Sequence, residues 1–386
     1  MIQWDVCVVG AGPGGAITAG QLARKGLKVL LLEKDVLPRY KTCGGGITAR
    51  ALKLLPESVR TDLGVPCPTI EFHFPKDRLS FTVHRQFPII LMAMRDEFDF
   101  KLTEWAREGG AQINAAEKVE EIEPNPDHVE IKTSKGNYRA RFIVGADGVH
   151  STVAKQTYWP KTGTIVPAIE YEYEVSSDVQ KHYQEICRLD YDIPEKGYAW
   201  VFPKRNHLSI GLGTVLRGLD LHKELERYLQ LLGITPTRLI KKSGFVIPLA
   251  PRGKLLAQGR VILVGDAAGL ADPLTAEGIY SSLLTGELAA TCLFEENLDP
   301  VNVTARYQAE LDRGILTELS AARILYRAYF GHPWLRKIAF RFRGRYFCER
   351  MTDQLAGVHS YSVSLEKRRK MFNTLDKLGL IKDVFA

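Results

Sequence analysis

The chain has 386 residues, of which 45% are hydrophobic and 25% charged, and a formal net charge of +7. That length suits two or three domains with sizeable cores, and a modest charge with no recognised nucleic-acid module argues against a nucleic-acid partner. Its six cysteines (Cys7, Cys43, Cys67, Cys187, Cys292, Cys348) are scattered without a C-x-x-C pair, which argues against a metal or iron–sulfur centre and a disulfide framework and fits a reduced, cytoplasmic compartment.

Met1-Ile2-Gln3-Trp4 runs into the first strand without a signal peptide, and no apolar run approaches the roughly 18 residues needed to span a bilayer. Residues 5–9 read as a buried strand, 16–25 as a helix and 28–32 as a second strand. Between the first strand and the helix lies Gly10-Ala11-Gly12-Pro13-Gly14-Gly15. In such a βαβ unit Gly10 permits the tight turn, Gly12 lets backbone approach a pyrophosphate and Gly15 lets helix and strand pack closely. The helix N-terminus then faces the phosphate charge. Glu33, at the end of the second strand, is placed to accept hydrogen bonds from ribose hydroxyls and to repel a 2′-phosphate, so FAD or NAD fits better than NADP.

Further along, residues 70–90 carry two alternating stretches that suit a hairpin. Residues 95–108 read as a helix, and 111–114 and 119–123 as strands. A second hairpin, 129–133 with 138–144, leads into Gly145-Ala146-Asp147-Gly148. Period-two alternation over 165–175 and 200–212 predicts a separate antiparallel sheet between 160 and 250. Residues 259–263 return to the first sheet and end in Gly265-Asp266-Ala267-Ala268-Gly269. The fold class is α/β: a FAD-binding Rossmann-like domain, βαβ plus parallel sheet, with an inserted antiparallel β-sheet substrate domain and a helical C-terminal region. The boundaries are 1–69, 95–158 and 250–300 for the FAD-binding domain, 70–94 and 159–249 for the substrate domain, and 301–386 for the C-terminal region.

The three glycine segments in this order suit one extended dinucleotide, FAD. Asp147 and Asp266 each end a strand, where an acid either meets ribityl or ribose hydroxyls or caps a helix. Backbone N–H groups of Gly278 and Ile279 begin a long helix and would face the flavin pyrimidine edge. Near the C-terminus Arg336, Lys337, Arg341, Arg343, Arg345 and Arg350 alternate with Ile338, Phe340, Phe342, Tyr346 and Phe347. That pattern suits an anionic membrane surface or a diphosphate pocket, and equally a solvated helix face on the core. Lys367-Arg368-Arg369-Lys370 reads as an exposed helix surface.

Two further motifs carry chemistry. Lys41-Thr42-Cys43-Gly44-Gly45-Gly46-Ile47 would let a loop pass close to a planar ring, with Cys43 either a proton donor, a tuner of the flavin or a small buried residue. In Gly197-Tyr198-Ala199-Trp200-Val201-Phe202-Pro203, alternation puts Tyr198, Trp200 and Phe202 on one face, either as an aromatic wall for an apolar chain or as ordinary sheet core.

With the glycine segments, these motifs resemble the geranylgeranyl reductase family, within the glutathione-reductase-like flavoproteins that include aromatic hydroxylases. The likeness spans about residues 3–300. It implies that the Cys43 loop lies beside the flavin, that the Tyr198–Pro203 stretch lines a prenyl pocket, that Arg95 contacts the FAD pyrophosphate and that Val119 offers a backbone contact to adenine. The cofactor set it implies is Gly10, Gly12, Pro13, Gly14, Gly15, Glu33, Lys34, Cys43, Gly44, Gly45, Arg95, Val119, Asp147, Gly148, Asp266, Gly278 and Ile279, with Tyr198, Trp200 and Phe202 at the substrate.

The implied reaction is reduction of isolated prenyl double bonds. Hydride from flavin N5 reaches one alkene carbon, and a proton from Cys43, Tyr198 or water reaches the other. The substrate would be a geranylgeranyl group on a diphosphate, ether lipid, chlorophyll or quinone, delivered at a membrane surface. NAD(P)H or ferredoxin would supply electrons. A flavin monooxygenase is the alternative, disfavoured because Thr152-Val153-Ala154-Lys155 after Ser151 lacks the arginine many hydroxylases show there. A halogenase or a quinone-linked electron-transfer flavoprotein fits less well.

Overall fold

A computed structural model describes residues 3–331 and 333–366; the Lys367–Lys370 run lies outside them. The first sheet has the order Ala257–Gln258, Val261–Leu263, Asn137–Gly145, Trp4–Val9, Val29–Leu32, Gln112–Asn114. Its four inner pairings, from Val261–Leu263 to Gln112–Asn114, are parallel. Helices cover it, so its inner strands are apolar without alternation: Val6, Val8, Leu30, Leu31 and Ile143 are fully buried. The hairpin of Val119–Pro124 and Val129–Thr133 joins at Asn137–Gly145.

Helices Pro13–Arg24, Arg95–Glu108 and Ile279–Glu295 pack together beside this sheet. Thr18 Oγ1 donates to the Gly14 carbonyl at 2.7 Å and to that of Gly286 at 3.0 Å, locking the first helix to the last.

A second, seven-stranded sheet runs Arg238–Pro248, Ile165–Glu174, Leu208–Thr214, Gly197–Pro203, Ile186–Tyr191, Thr69–Phe74, Leu79–His84. The sheet is antiparallel as expected at every pairing but one. Ile186–Tyr191 pairs in parallel with Thr69–Phe74, because the latter hairpin arrives from a distant part of the chain and not through a tight turn. The alternating stretch 200–212 resolves into two strands joined by a turn in which Lys204 N–H donates to the His207 carbonyl at 2.8 Å. Helix Leu221–Leu232, which the sequence reading omits, lies over the sheet face carrying Ile169, Tyr171 and Tyr173. Asp220 caps it and Gly233 ends it at φ +64°. A small third sheet pairs Ile90–Met92 with Gly46–Thr48 and Val65–Cys67.

The C-terminal region is helical: Pro300–Arg313, Ile315–Gly331 and Pro333–Leu355. The last of these buries Phe340 and Cys348 against the second sheet, with Phe340 and Phe74 ring centroids 4.7 Å apart. Arg336, though basic, is buried and reaches Asp192 at 2.5 Å and Asp77 at 3.4 Å. No described helix is long and apolar enough to cross a membrane.

Candidate active site and cofactor cradle

The three glycine segments converge. Gly10 holds φ +102°, and a Cβ there would stand 2.5 Å from the Ala146 carbonyl oxygen, so the first turn lies directly against the second segment. Ala146 N–H donates to the Val9 carbonyl at 2.8 Å. A Cβ on Gly14 would stand 2.9 Å from the Ser282 carbonyl, and Gly265 N–H donates to Thr285 Oγ1 at 3.0 Å; both partners belong to helix Ile279–Glu295.

This cradle fits an extended dinucleotide. Helices Pro13–Arg24 and Ile279–Glu295 both begin without a side-chain cap and without an acid in the first turn, leaving their leading N–H groups and dipoles for an anion. At Gly12 a Cβ would meet nothing closer than the Arg39 guanidinium at 3.9 Å, so backbone is open to a ligand there. Pro13, Asp266, Gly278 and Ile279 all line one cavity of about 200 Å³. Asp266 reaches Lys41 at 3.7 Å across its mouth.

At the adenosine end, Glu33 Oε2 accepts from Ala11 N–H at 2.9 Å and Oε1 from Asp35 N–H at 3.1 Å, so the carboxylate also braces the glycine turn. Lys34 beside it is exposed. Val119 follows Glu117, whose N–H donates to the Glu33 carbonyl at 2.8 Å, which brings its strand to the same corner. Arg39 joins this end to Arg95: its Nε lies 3.1 Å from Glu33, its Nη1 3.0 Å from Asp99, and Asp99 holds Arg95 through two bonds of 2.8 and 2.9 Å. Burial works to lower the Arg95 pKa, but Asp99 and Cys43 more than offset it, and the guanidinium stays charged. The sequence reading finds both ends of this chain and misses Arg39 and Asp99.

The Asp147 carboxylate accepts from Thr152 N–H at 2.6 Å, Val153 N–H at 3.2 Å and the Ser151 hydroxyl at 2.5 Å, so it supports the start of helix Thr152–Gln156 beside the N-cap Ser151. Gly148, at φ +79°, makes the turn that permits this.

The Cys43 loop and the aromatic strand face each other across the cavity. Tyr198, Trp200 and Phe202 share one face, with ring centroids 5.8 and 5.9 Å apart. Trp200 stands opposite Gly211, where a Cβ would collide with the indole, so glycine makes room for the ring. The loop glycines serve the protein itself. A Cβ on Gly44 would stand 2.7 Å from the Phe202 ring, and Gly45 holds φ +70°. Lys204, buried, donates to the carbonyls of Gly44 at 2.9 Å and Ala93 at 2.8 Å and fixes the loop.

Cys43 Sγ accepts from Gly45 N–H at 3.4 Å and lines the cavity. The Tyr198 hydroxyl donates to the Thr275 carbonyl at 2.9 Å, and burial pushes its pKa well up, so it stays a neutral phenol. Phe72, Leu189, Ile247, Met351 and Leu355 complete an apolar lining. Lys204 and the cavity acid Glu170 escape the sequence reading. Lys204 does follow Pro203 directly, but Glu170 sits in an alternating strand that reads as polar-out.

Residues 3–212 match the family described as FAD binding domain. The chain is 30% identical to digeranylgeranylglycerophospholipid reductase 1 of Methanopyrus kandleri over 83% of its length and 89% of the relative's. It is 30% identical to geranylgeranyl diphosphate reductase of Rhodobacter capsulatus over 75% of its length and 74% of that protein's. The crystal structure of a geranylgeranyl bacteriochlorophyll reductase-like protein from Thermoplasma acidophilum superposes with a TM-score of 0.72 at 22% identity, covering 84% of this chain and 88% of that one. When bound, FAD supplies the two-electron carrier of the site. The protein is a flavin-dependent oxidoreductase, and it belongs to the geranylgeranyl reductase family.

Proposed function

We propose that this enzyme reduces isolated carbon–carbon double bonds of geranylgeranyl chains carried on a diphosphate, lipid, chlorophyll or quinone, using electrons from NAD(P)H or ferredoxin. The observation that carries this reading is the shape of the cavity. One end meets the starts of the two uncapped helices, and the other is walled by Tyr198, Trp200 and Phe202 and closed by aliphatic side chains.

An unactivated alkene accepts hydride poorly, so the site has to support positive charge on carbon while keeping water out. Aromatic faces serve both needs. The glycine loop, held rigid by Lys204, sets Cys43 and the aromatic wall at a fixed spacing. Incubating the reduced protein with geranylgeranyl diphosphate in deuterated water tests the reading. Products that gain two hydrogens for each bond reduced, with solvent deuterium at both carbons because the flavin N5 hydrogen also exchanges, support it. Unchanged substrate under full flavin reduction contradicts it.

We also propose that the enzyme meets its substrates at an anionic membrane surface. Trp334, Ile338 and Phe342 are 56, 51 and 80% exposed and, with Lys337, Arg341 and Arg345, fall on one face of helix Pro333–Leu355. The same helix lines the cavity through Met351 and Leu355. Co-sedimentation with anionic vesicles should drop several-fold in Phe342→Ser with Ile338→Ser; equal binding by the variant and the native protein contradicts the docking face.

A further inference from the structure

The cavity wall holds an acid to which the reading above gives no part. Strand Ile165–Glu174 turns Ala168, Glu170 and Glu172 toward the cavity side, while Ile169, Tyr171 and Tyr173 enter the core on the other face. Glu170 is 1% exposed and lies between Gly211 and Ser243 of its neighbouring strands. Its Oε1 accepts from Cys43 N–H at 3.3 Å and from the Tyr40 hydroxyl at 3.1 Å; its Oε2 has no hydrogen-bond partner, and the residue lines the cavity. The Tyr40 hydroxyl also lies 3.4 Å from Glu172 Oε1, and His207 Nε2 lies 3.0 Å from Glu172 Oε2, an ion-pair approach in which neither atom has a hydrogen-bond partner. His207 in turn contacts Asn206, which is exposed. A line of exchangeable groups thus leads from the cavity to the surface.

We propose that Glu170 is the acid that gives the alkene its proton, and that Tyr40, Glu172 and His207 return a proton to it from solvent. This rests on the prenyl-reduction reading. In the step, the π bond breaks as two C–H bonds form. One carbon receives hydride, with both electrons, from the reduced flavin, which is oxidised. The other receives the proton as the Glu170 O–H bond breaks and leaves a carboxylate.

Two carboxyls sharing one tyrosine hydroxyl in a buried site do not both ionise at neutral pH. Burial, reinforced by Glu172, pushes the Glu170 carboxyl up to about 7, against the opposing pull of Lys204, the Tyr40 hydroxyl and the Cys43 N–H. Facing it are Tyr40 and Cys43 from the loop, Glu172 from its own strand, Ser243 and Lys241 from Arg238–Pro248, and Lys204 and His207 from the neighbouring turn. An acid poised there keeps a proton to give near neutral pH, whereas Tyr198 has its hydrogen committed to Thr275 and its pKa far higher.

Glu170→Gln keeps the shape and removes the transferable proton. The native resting protein should show a protonated-carboxyl infrared band that titrates away near neutral pH and is missing from Glu170→Gln. In single turnovers with geranylgeranyl diphosphate, the native rate should fall as pH rises through about 7. At equal flavin content, Glu170→Gln should be slower by roughly 100-fold and lose that pH dependence, with Glu170→Asp recovering the band and part of the rate. A variant with native rate and native pH profile overturns the proposal, as does a native protein with no such band; if Glu170→Gln fails to fold, a band left unshifted in Glu170→Asp overturns it. A native protein that reduces no prenyl chain overturns the substrate reading first and the proton donor with it.

Discussion

In the parallel sheet the acids stand just beyond the strands: Glu33 after Val29–Leu32, and Asp266 after Val261–Leu263. Each meets backbone N–H groups or a lysine at its strand's end. In the second sheet Glu170 and Glu172 sit in mid-strand, both nearly fully buried, between Gly211, Ser209 and Ser243 on the neighbouring strands. The first arrangement sets its acids at strand ends, where backbone donors and a lysine meet them. The second raises an acid toward neutrality and fits it to move a proton. One molecule thus places the same side chain in two electrostatic settings, and the difference follows from where along the strand it falls.

The most severe way to break the contrast is at the parallel sheet. Gly10→Val adds a side chain where φ is +102° and the Ala146 carbonyl already touches. It should lose bound flavin almost wholly and cost on the order of 3 kcal/mol, read by the flavin-to-protein absorbance ratio and by thermal unfolding. Next in size, Lys204→Met leaves two buried carbonyls unpaired and frees the Cys43 loop. We expect a loss of about 1.5–3 kcal/mol by denaturant titration. Removing that cation also removes a charge that favours ionised Glu170, so the infrared titration should move to higher pH.

A stability profile tests the second setting directly. Because the folded Glu170 pKa is raised to about 7, its contribution to stability is fully present at acid pH and is lost as pH rises through neutrality. The native melting temperature, compared with that of Glu170→Gln, should therefore fall between about pH 4.5 and pH 7 and level off above. A constant difference across that range would contradict burial of the acid in its neutral form. The smallest effect concerns Asp147. As a cap, Asp147→Ala should cost about 1 kcal/mol of stability and weaken flavin binding less than Asp266→Ala does, measured by flavin titration of the apoprotein.

These settings were unequally legible from sequence. The glycine turns, the strand ends and Glu33 announce themselves because backbone geometry and strand termini are local properties. Phe202 and Trp200 were legible as one face because alternation is local too. Glu170, in Ile-Glu-Tyr-Glu-Tyr-Glu, reads as a strand with a solvated acidic side. Only the arrival of the Cys43 loop, more than a hundred residues away in the chain, turns that side into an interior. Asp147 shows the converse: its neighbours alone allow a cap or a cofactor ligand, and its hydrogen bonds to Ser151, Thr152 and Val153 are short-range contacts within its own segment.

The most direct test of the account is anaerobic. The flavin is reduced, oxygen is excluded and geranylgeranyl diphosphate is added while the flavin absorbance is followed. We predict reoxidation of the flavin without oxygen, with appearance of a more saturated prenyl chain. Reoxidation seen only when oxygen is admitted, together with a hydroxylated product, would contradict the account and assign the cavity to a monooxygenase.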